Sequence, residues 1–304
     1  MRPLYLELAD DVFKEKIESL YSMMEKCHLC PISCGAKRLS GERGVCGVKD
    51  KPFVSSFHLH FGEEDVLVGS GGSGTIFFSG CNLKCVYCQN YEISQLRFGY
   101  EVEVEDLSKM MLDLQNRGAQ NINLVTPTHQ VPFIVDAIFR ARNMGLRIPI
   151  VYNTSGYDNV EVIKILRGII DIYMPDTKYS DDSKALKYSR APNYFENLKK
   201  VLKEMHDQVG DLILEDGVAV RGLLVRHLVL PNDLAGSYEI LKFIAEEISK
   251  NTFINIMAQY YPTYRAFEYP ELSRRITRKE YMEVLKMARD LGLKRVYYDP
   301  RWFF

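Results

Sequence analysis

Cys81-Asn82-Leu83-Lys84-Cys85-Val86-Tyr87-Cys88 puts three cysteines on one short loop, with three and then two residues between them. That spacing lets three thiolates converge on one side of a small inorganic cluster. Four-iron clusters are normally held by four cysteine thiolates, so a three-cysteine loop leaves one iron open, as catalytic metal sites keep one position for a substrate or cofactor. A structural zinc knuckle or three buried free thiols would use the same residues, but zinc sites usually pair their ligands and reach four. Cys81, Cys85 and Cys88 are therefore the candidate catalytic and metal-binding centre.

A second group precedes the loop: Cys27-His28-Leu29-Cys30-Pro31-Ile32-Ser33-Cys34, then Cys46 within Gly44-Val45-Cys46-Gly47. This stretch is rich in glycine and proline and too poor in apolar residues for a core of its own. Cys27, Cys30, Cys34 and Cys46 read as a metal-stapled module, and spacing leaves iron–sulfur and zinc both open. His28 is a neighbour rather than a ligand, because four cysteines already fill a site.

The chain of 304 residues is long enough for one large α/β domain and a small appendage. Hydrophobic residues at 46% and charged residues at 26% are ordinary for a globular protein. A net charge of -1 carries no nucleic-acid footprint. The N-terminus carries Glu7, Asp10 and Asp11 and lacks a basic segment leading into an apolar run, and no apolar stretch suits a membrane span. These features point to a cytoplasmic protein whose seven cysteines serve metal rather than disulfides.

From residue 70 the pattern alternates. Gly71-Gly72-Ser73-Gly74 reads as a turn or a close backbone approach, and the apolar strand 75–78 then delivers the cysteine loop. Helical spacing at 107–117, 133–144, 160–166, 194–209, 237–248 and 278–291 alternates with strands at 121–125, 148–152, 169–174, 222–230 and 253–257, with a further strand possible at 294–298. Such alternation implies parallel βαβ units. An earlier helix covers 12–24, and His58 and His60 alternate with Phe57, Leu59 and Phe61 along a strand. In parallel sheets of this kind the site forms from polar residues at the C-terminal ends of strands.

With its aromatic Tyr87 before the last cysteine, the loop resembles the signature of the radical S-adenosylmethionine (SAM) superfamily. The resemblance covers roughly residues 70–262 and is closest to pyruvate formate-lyase activating enzyme-like proteins, with Gly80 to Asn90 its most specific part. It implies a partial (βα)6 TIM-like barrel over 70–304, with a C-terminal helix and tail, behind an N-terminal helix and Cys-rich metal module over 1–69. It implies a [4Fe-4S] cluster whose open iron is chelated by SAM, reductive cleavage to a 5′-deoxyadenosyl radical, and hydrogen-atom abstraction.

The resemblance also implies cofactor-binding roles for Tyr87, Thr126, Thr128, Asn153, Ser155, Asp176, Lys178 and Arg226. Asp176 and Lys178 match an Asp-x-Lys strand end, and Asn153-Thr154-Ser155-Gly156 stands where relatives have an Asp-Thr-Asn-Gly-like turn. Asn153, Thr154, Met174 and Asp176 resemble ligands of a monovalent cation. The Gly-Gly-Glu-like segment of many members is replaced by Thr126-Pro127-Thr128-His129. Reduced flavodoxin or ferredoxin is the implied electron donor, and the implied substrate is a glycine of a partner enzyme, or another peptide, RNA or small molecule. His129 and His227 stand as proton donors or structural residues, and tyrosines 152, 157, 173, 179, 260 and 261 as cavity lining or packing. The competing class is a non-catalytic electron-transfer or structural metal protein.

Overall fold

A computed structural model describes residues 1–298. Its strands are β1 (Phe53–His60), β2 (Ser73–Phe78), β3 (Tyr100–Glu101), β4 (Ile122–Val125), β5 (Ile150–Thr154), β6 (Ile172–Pro175), β7 (Ile213–Glu215), β8 (Val218–Leu228), β9 (Phe253–Met257) and β10 (Arg295–Tyr298). They form one sheet in the order β10-β9-β8-β6-β5-β4-β2-β1-β3, with β7 paired to β8. All neighbours from β2 to β10 in this order run parallel. The pairs β1–β2, β1–β3 and β7–β8 are antiparallel. This is the expected α/β sheet of six βα units, extended by β10.

Helices cover the parallel strands, which is why β5 is buried along its whole length. Tyr194–Val209 shows the pattern that achieves this: Leu198, Val201, Leu202, Met205 and Val209 form one buried stripe. Arg278–Asp290 starts with a Thr277/Glu280 capping box. The helix expected over 237–248 is α-helical only through Phe243; Ile244–Ile248 closes as a π-helical turn.

Besides the short elements Asp65–Val68, Tyr91–Ser94 and Tyr100–Glu101, two larger features escaped periodicity. β8 begins at Val218 rather than 222, because Asp216 (φ +49°) and Gly217 (φ +81°) turn the chain back from β7. A helix at Asp182–Ser189, capped by the Asp181 carboxylate, was not anticipated. Its few apolar residues hide the helical period, although the Asp-Asp-Ser start is a capping signal. The proposed boundary at 69/70 falls between β1 and β2, which are hydrogen-bonded neighbours, and the tail 299–304 lies outside the described residues.

The glycine run before β2 is a close approach. A Cβ on Gly71 would lie 1.9 Å from the Gly118 carbonyl oxygen, and one on Gly74 would lie 2.7 Å from that of Asn121. Backbone cannot yield as a flexible side chain does, so Gly71→Ala should cost on the order of 1–3 kcal/mol. A urea unfolding midpoint unchanged from the parent would refute this account of the turn.

Candidate active site

β2 ends at Phe78, and Ser79 and Gly80 turn the chain into the cysteine loop. Gly80 has φ +82°, and a Cβ there would come within 2.5 Å of the Cys46 carbonyl oxygen, so the turn requires glycine. Cys81 N donates to that carbonyl at 3.3 Å. Lys84 N donates to Ser189 O and Val86 N to Tyr188 O, both at 2.9 Å, while Arg265 N donates to Val86 O at 2.9 Å. The Ser189 hydroxyl donates to Cys85 Sγ at 3.0 Å, and Ser94 Oγ lies 3.1 Å from Cys88 Sγ. The unanticipated helix 182–189 is thus what braces the loop.

The three cysteines open onto one cavity of about 260 Å³, shared with Tyr87, Thr126, Asn153, Thr154, Ser155, Asp176, Lys178, Arg226, Met257 and Gln259 among others. Burial pushes the Cys81 thiol up to about 12 and the Cys85 thiol to about 11. Buried in this way the groups are neutral thiols, and they would ligate as thiolates only where a metal centre supplies the positive charge. Ser155 Oγ is buried without a partner on the cavity wall. An orphaned hydroxyl beside three convergent thiols fits a cluster carrying a polar ligand.

Asp176 and Arg226 face each other across the ends of β6 and β8. Arg226 Nε donates to Asp176 Oδ1 at 2.9 Å and Nη2 to Asn153 Oδ1 at 2.7 Å; Lys178 Nζ donates to Asp176 Oδ2 at 2.7 Å. Burial works to raise the Asp176 carboxyl, but Arg226 and Lys178 overcome it and hold the group below the usual range. The carboxylate therefore stays ionised.

Several expectations are corrected. Thr128 does not reach the cavity: its hydroxyl donates to the buried Asp158 at 2.6 Å, as does that of Thr154, and Tyr152 OH adds a third bond at 3.0 Å. Of the residues expected beside a monovalent cation, Asn153 accepts from Arg226 and Asp176 from both Arg226 and Lys178. Met174 packs in an apolar cluster with Val151 and Ile172. His227 is structural, its Nδ1 donating to Thr177 O at 2.8 Å and its Nε2 accepting from Ser237 Oγ at 2.9 Å. His129 is buried, and its Nε2 donates to Ser79 O at 2.9 Å. Tyrosines 152, 157, 173, 179 and 260 are buried packing residues, and Tyr261 is exposed.

Cys27, Cys30, Cys34 and Cys46 line a second, smaller cavity with Leu29, Ile32, Val45, Asn82, His129 and Arg38. Its neighbour Asn82 lies inside the three-cysteine loop, so the two cysteine groups share a wall as well as the Cys81–Cys46 hydrogen bond. Among the described residues no group of three or more His, Cys, Asp or Glu side chains is gathered for a metal ion.

Glu63, Glu64, Asn123 and Asn255 were missed. They come from the loop after β1 and from inward positions of β4 and β9, and an isolated Glu-Glu pair carries no motif. Glu63, Glu64 and Asn255 border a cavity of about 350 Å³ that also reaches Arg226, Met257 and Gln259. Asn255 Nδ2 donates to Glu64 Oε1 at 2.7 Å, and Arg226 Nη1 lies 3.5 Å from Glu63 Oε2. The Asn123 amide is buried, and its side chain lies close enough to Glu63 to work against the effect of burial on that carboxyl.

Burial raises the Glu63 carboxyl from 4.5 to about 6, against the pull of Arg226. The folded state then binds a proton more tightly than the unfolded chain. The contribution of Glu63 to stability is present below 4.5 and lost as pH climbs to about 6. Glu63→Gln should flatten the decline in urea midpoint across that window, removing a slope worth on the order of 2 kcal/mol. An identical profile in the variant would show that the group titrates normally.

The sequence profile described as the radical SAM superfamily matches residues 75–214. An uncharacterised protein of Methanocaldococcus jannaschii is 33% identical over 292 residues, spanning 93% of this chain and 80% of its own. The pyruvate formate-lyase-activating enzyme of Clostridium pasteurianum is 29% identical over 130 residues, 41% of this chain and 53% of that protein. Among solved structures, native anSMEcpe with bound AdoMet aligns at a TM-score of 0.49 and 16% identity, covering 72% of this chain and 61% of that one. With the profile lying over the parallel sheet and the three-cysteine loop at its C-terminal edge, the chain belongs to the radical SAM superfamily.

Proposed function

We propose that Cys81, Cys85 and Cys88 hold a [4Fe-4S] cluster and that SAM binds across Ser155, Asp176, Lys178 and Arg226, so that the chain abstracts a hydrogen atom from a substrate. The observation that carries this reading is the single cavity in which three thiols, two of them buried, an orphaned hydroxyl and a partly buried charge triad meet. When bound, cluster and SAM supply one-electron cleavage of a carbon–sulfur bond, which yields methionine and, after hydrogen abstraction, 5′-deoxyadenosine.

The chain's own residues orient and shield. Ser189 and Ser94 hold two of the sulfurs by hydrogen bonds, and the backbone contacts of Lys84 and Val86 fix the loop. Arg226 and Lys178 are balanced by Asp176 and Glu63, so they would meet the carboxylate of a bound amino acid moiety as charged hydrogen-bond donors rather than as surplus charge. Asn153 fixes the guanidinium plane. The neighbouring 350 Å³ cavity, reached past Arg226 and Met257, gives a substrate room beside the SAM site. The carboxylates of Glu63 and Glu64 favour a substrate end that donates hydrogen bonds or carries positive charge.

The likeness to a pyruvate formate-lyase-activating enzyme supports a backbone glycine of a partner enzyme as the substrate class, with reduced flavodoxin or ferredoxin as electron donor. The near-neutral charge disfavours RNA. The test is anaerobic reconstitution, reduction with dithionite in the presence of SAM, and chromatography for 5′-deoxyadenosine. The native chain should form it, and Cys85→Ala should form none while unfolding within a few degrees of the parent. Formation by that variant would remove the cysteine loop from the chemistry. Intact SAM with the native chain, and no change in cluster spectra on its addition, would leave a non-catalytic metal protein.

A further inference from the structure

We propose that Cys27, Cys30, Cys34 and Cys46 bind a second iron–sulfur cluster, net anionic, for which Arg38 is the buried counter-charge. The four thiols share one cavity, and Gly44 lies against two of them: a Cβ there would be 3.2 Å from Cys46 Sγ and 3.7 Å from Cys34 Sγ. Arg38 lines the same cavity and is 0% exposed. Its Nε donates to Lys49 O at 2.8 Å and Nη1 to His129 O at 2.9 Å, with Cys27 Sγ 4.0 Å from Nη1; Nη2 has no partner.

A guanidinium cannot shed its proton, and a buried charge requires an opposite one. Carbonyls, a sulfur and the face of the Phe133 ring meet Arg38, none of them carrying a full negative charge, so that charge belongs in the cavity, where four thiolates around a cluster supply it. Zinc held by four thiolates would be anionic too, but it draws its sulfurs onto one ion. Structural zinc sites are usually built from two paired motifs, whereas Cys27, Cys30 and Cys34 follow one another at gaps of two and then three residues.

The test separates this centre from the SAM site. The full chain carrying Cys81→Ala, Cys85→Ala and Cys88→Ala together, reconstituted anaerobically, should retain about four irons with matching sulfide per chain. Adding Cys30→Ala should lose them. No iron in the triple variant, or zinc in its place, would overturn the proposal whether or not the native chain cleaves SAM. Should the triple variant fail to fold, the native chain decides: about eight irons support the second cluster and about four refute it. In the native chain, Arg38→Met should lower the midpoint potential of this cluster, because the more negative reduced form loses its counter-charge, while Arg38→Lys should keep it near the parent. An unchanged potential in Arg38→Met would strip Arg38 of the assigned role.

Discussion

Negative charge withdrawn from water is the constraint around which this molecule is arranged. Asp176, Glu63 and Glu64 and the thiols of Cys81 and Cys85 all sit in or beside the barrel mouth, where an unpaired anion is strongly disfavoured. Each is answered by a positioned donor or cation. Arg226 alone touches Asp176, Asn153 and Glu63, joining residues from two strand ends and from the loop after β1. Removing it would leave several acceptors unsatisfied at once, so the residue organises the cavity whatever it binds.

The same constraint explains how the two cysteine groups relate. Gly80 lets the three-cysteine loop approach Cys46 closely enough for a backbone hydrogen bond, and Asn82, inside that loop, borders the four-cysteine cavity. The N-terminal segment therefore forms a wall of the site's surroundings, and β1 stitches it to the sheet through β2. The helix Asp182–Ser189 closes the opposite side, with Ser189 reaching Cys85 directly. One flank comes from the four-cysteine segment and the other from a helix that carries no site motif.

Much of the fold was legible because its signals are local. Alternating apolar strands and amphipathic helices report parallel βαβ units, since each helix must bury a stripe and each strand is covered on both faces. The hairpin at Asp216-Gly217 and the helix at 182–189 were passed over where polar composition masked the period. Part of the site was legible by the same logic. Asp176, Lys178, Asn153 and Ser155 end strands on the edge where such sheets build their cavities. Thr128 follows the same rule, yet it turns to Asp158, because a buried carboxylate four residues past Thr154 claims both hydroxyls.

By itself the sequence determined the cysteine spacing, the succession of parallel units and hence the edge of the sheet on which chemistry is possible, because these follow from periodicity and ligand count along the chain. Only the tertiary structure decided that Arg226 and Lys178 pair with Asn153 and Asp176, and that Glu63 and Glu64 border a second cavity. It alone placed the buried Arg38 against four thiols. Those pairings join residues far apart in the chain, and electrostatic compensation in a dry interior depends on distance through space, which linear order does not encode.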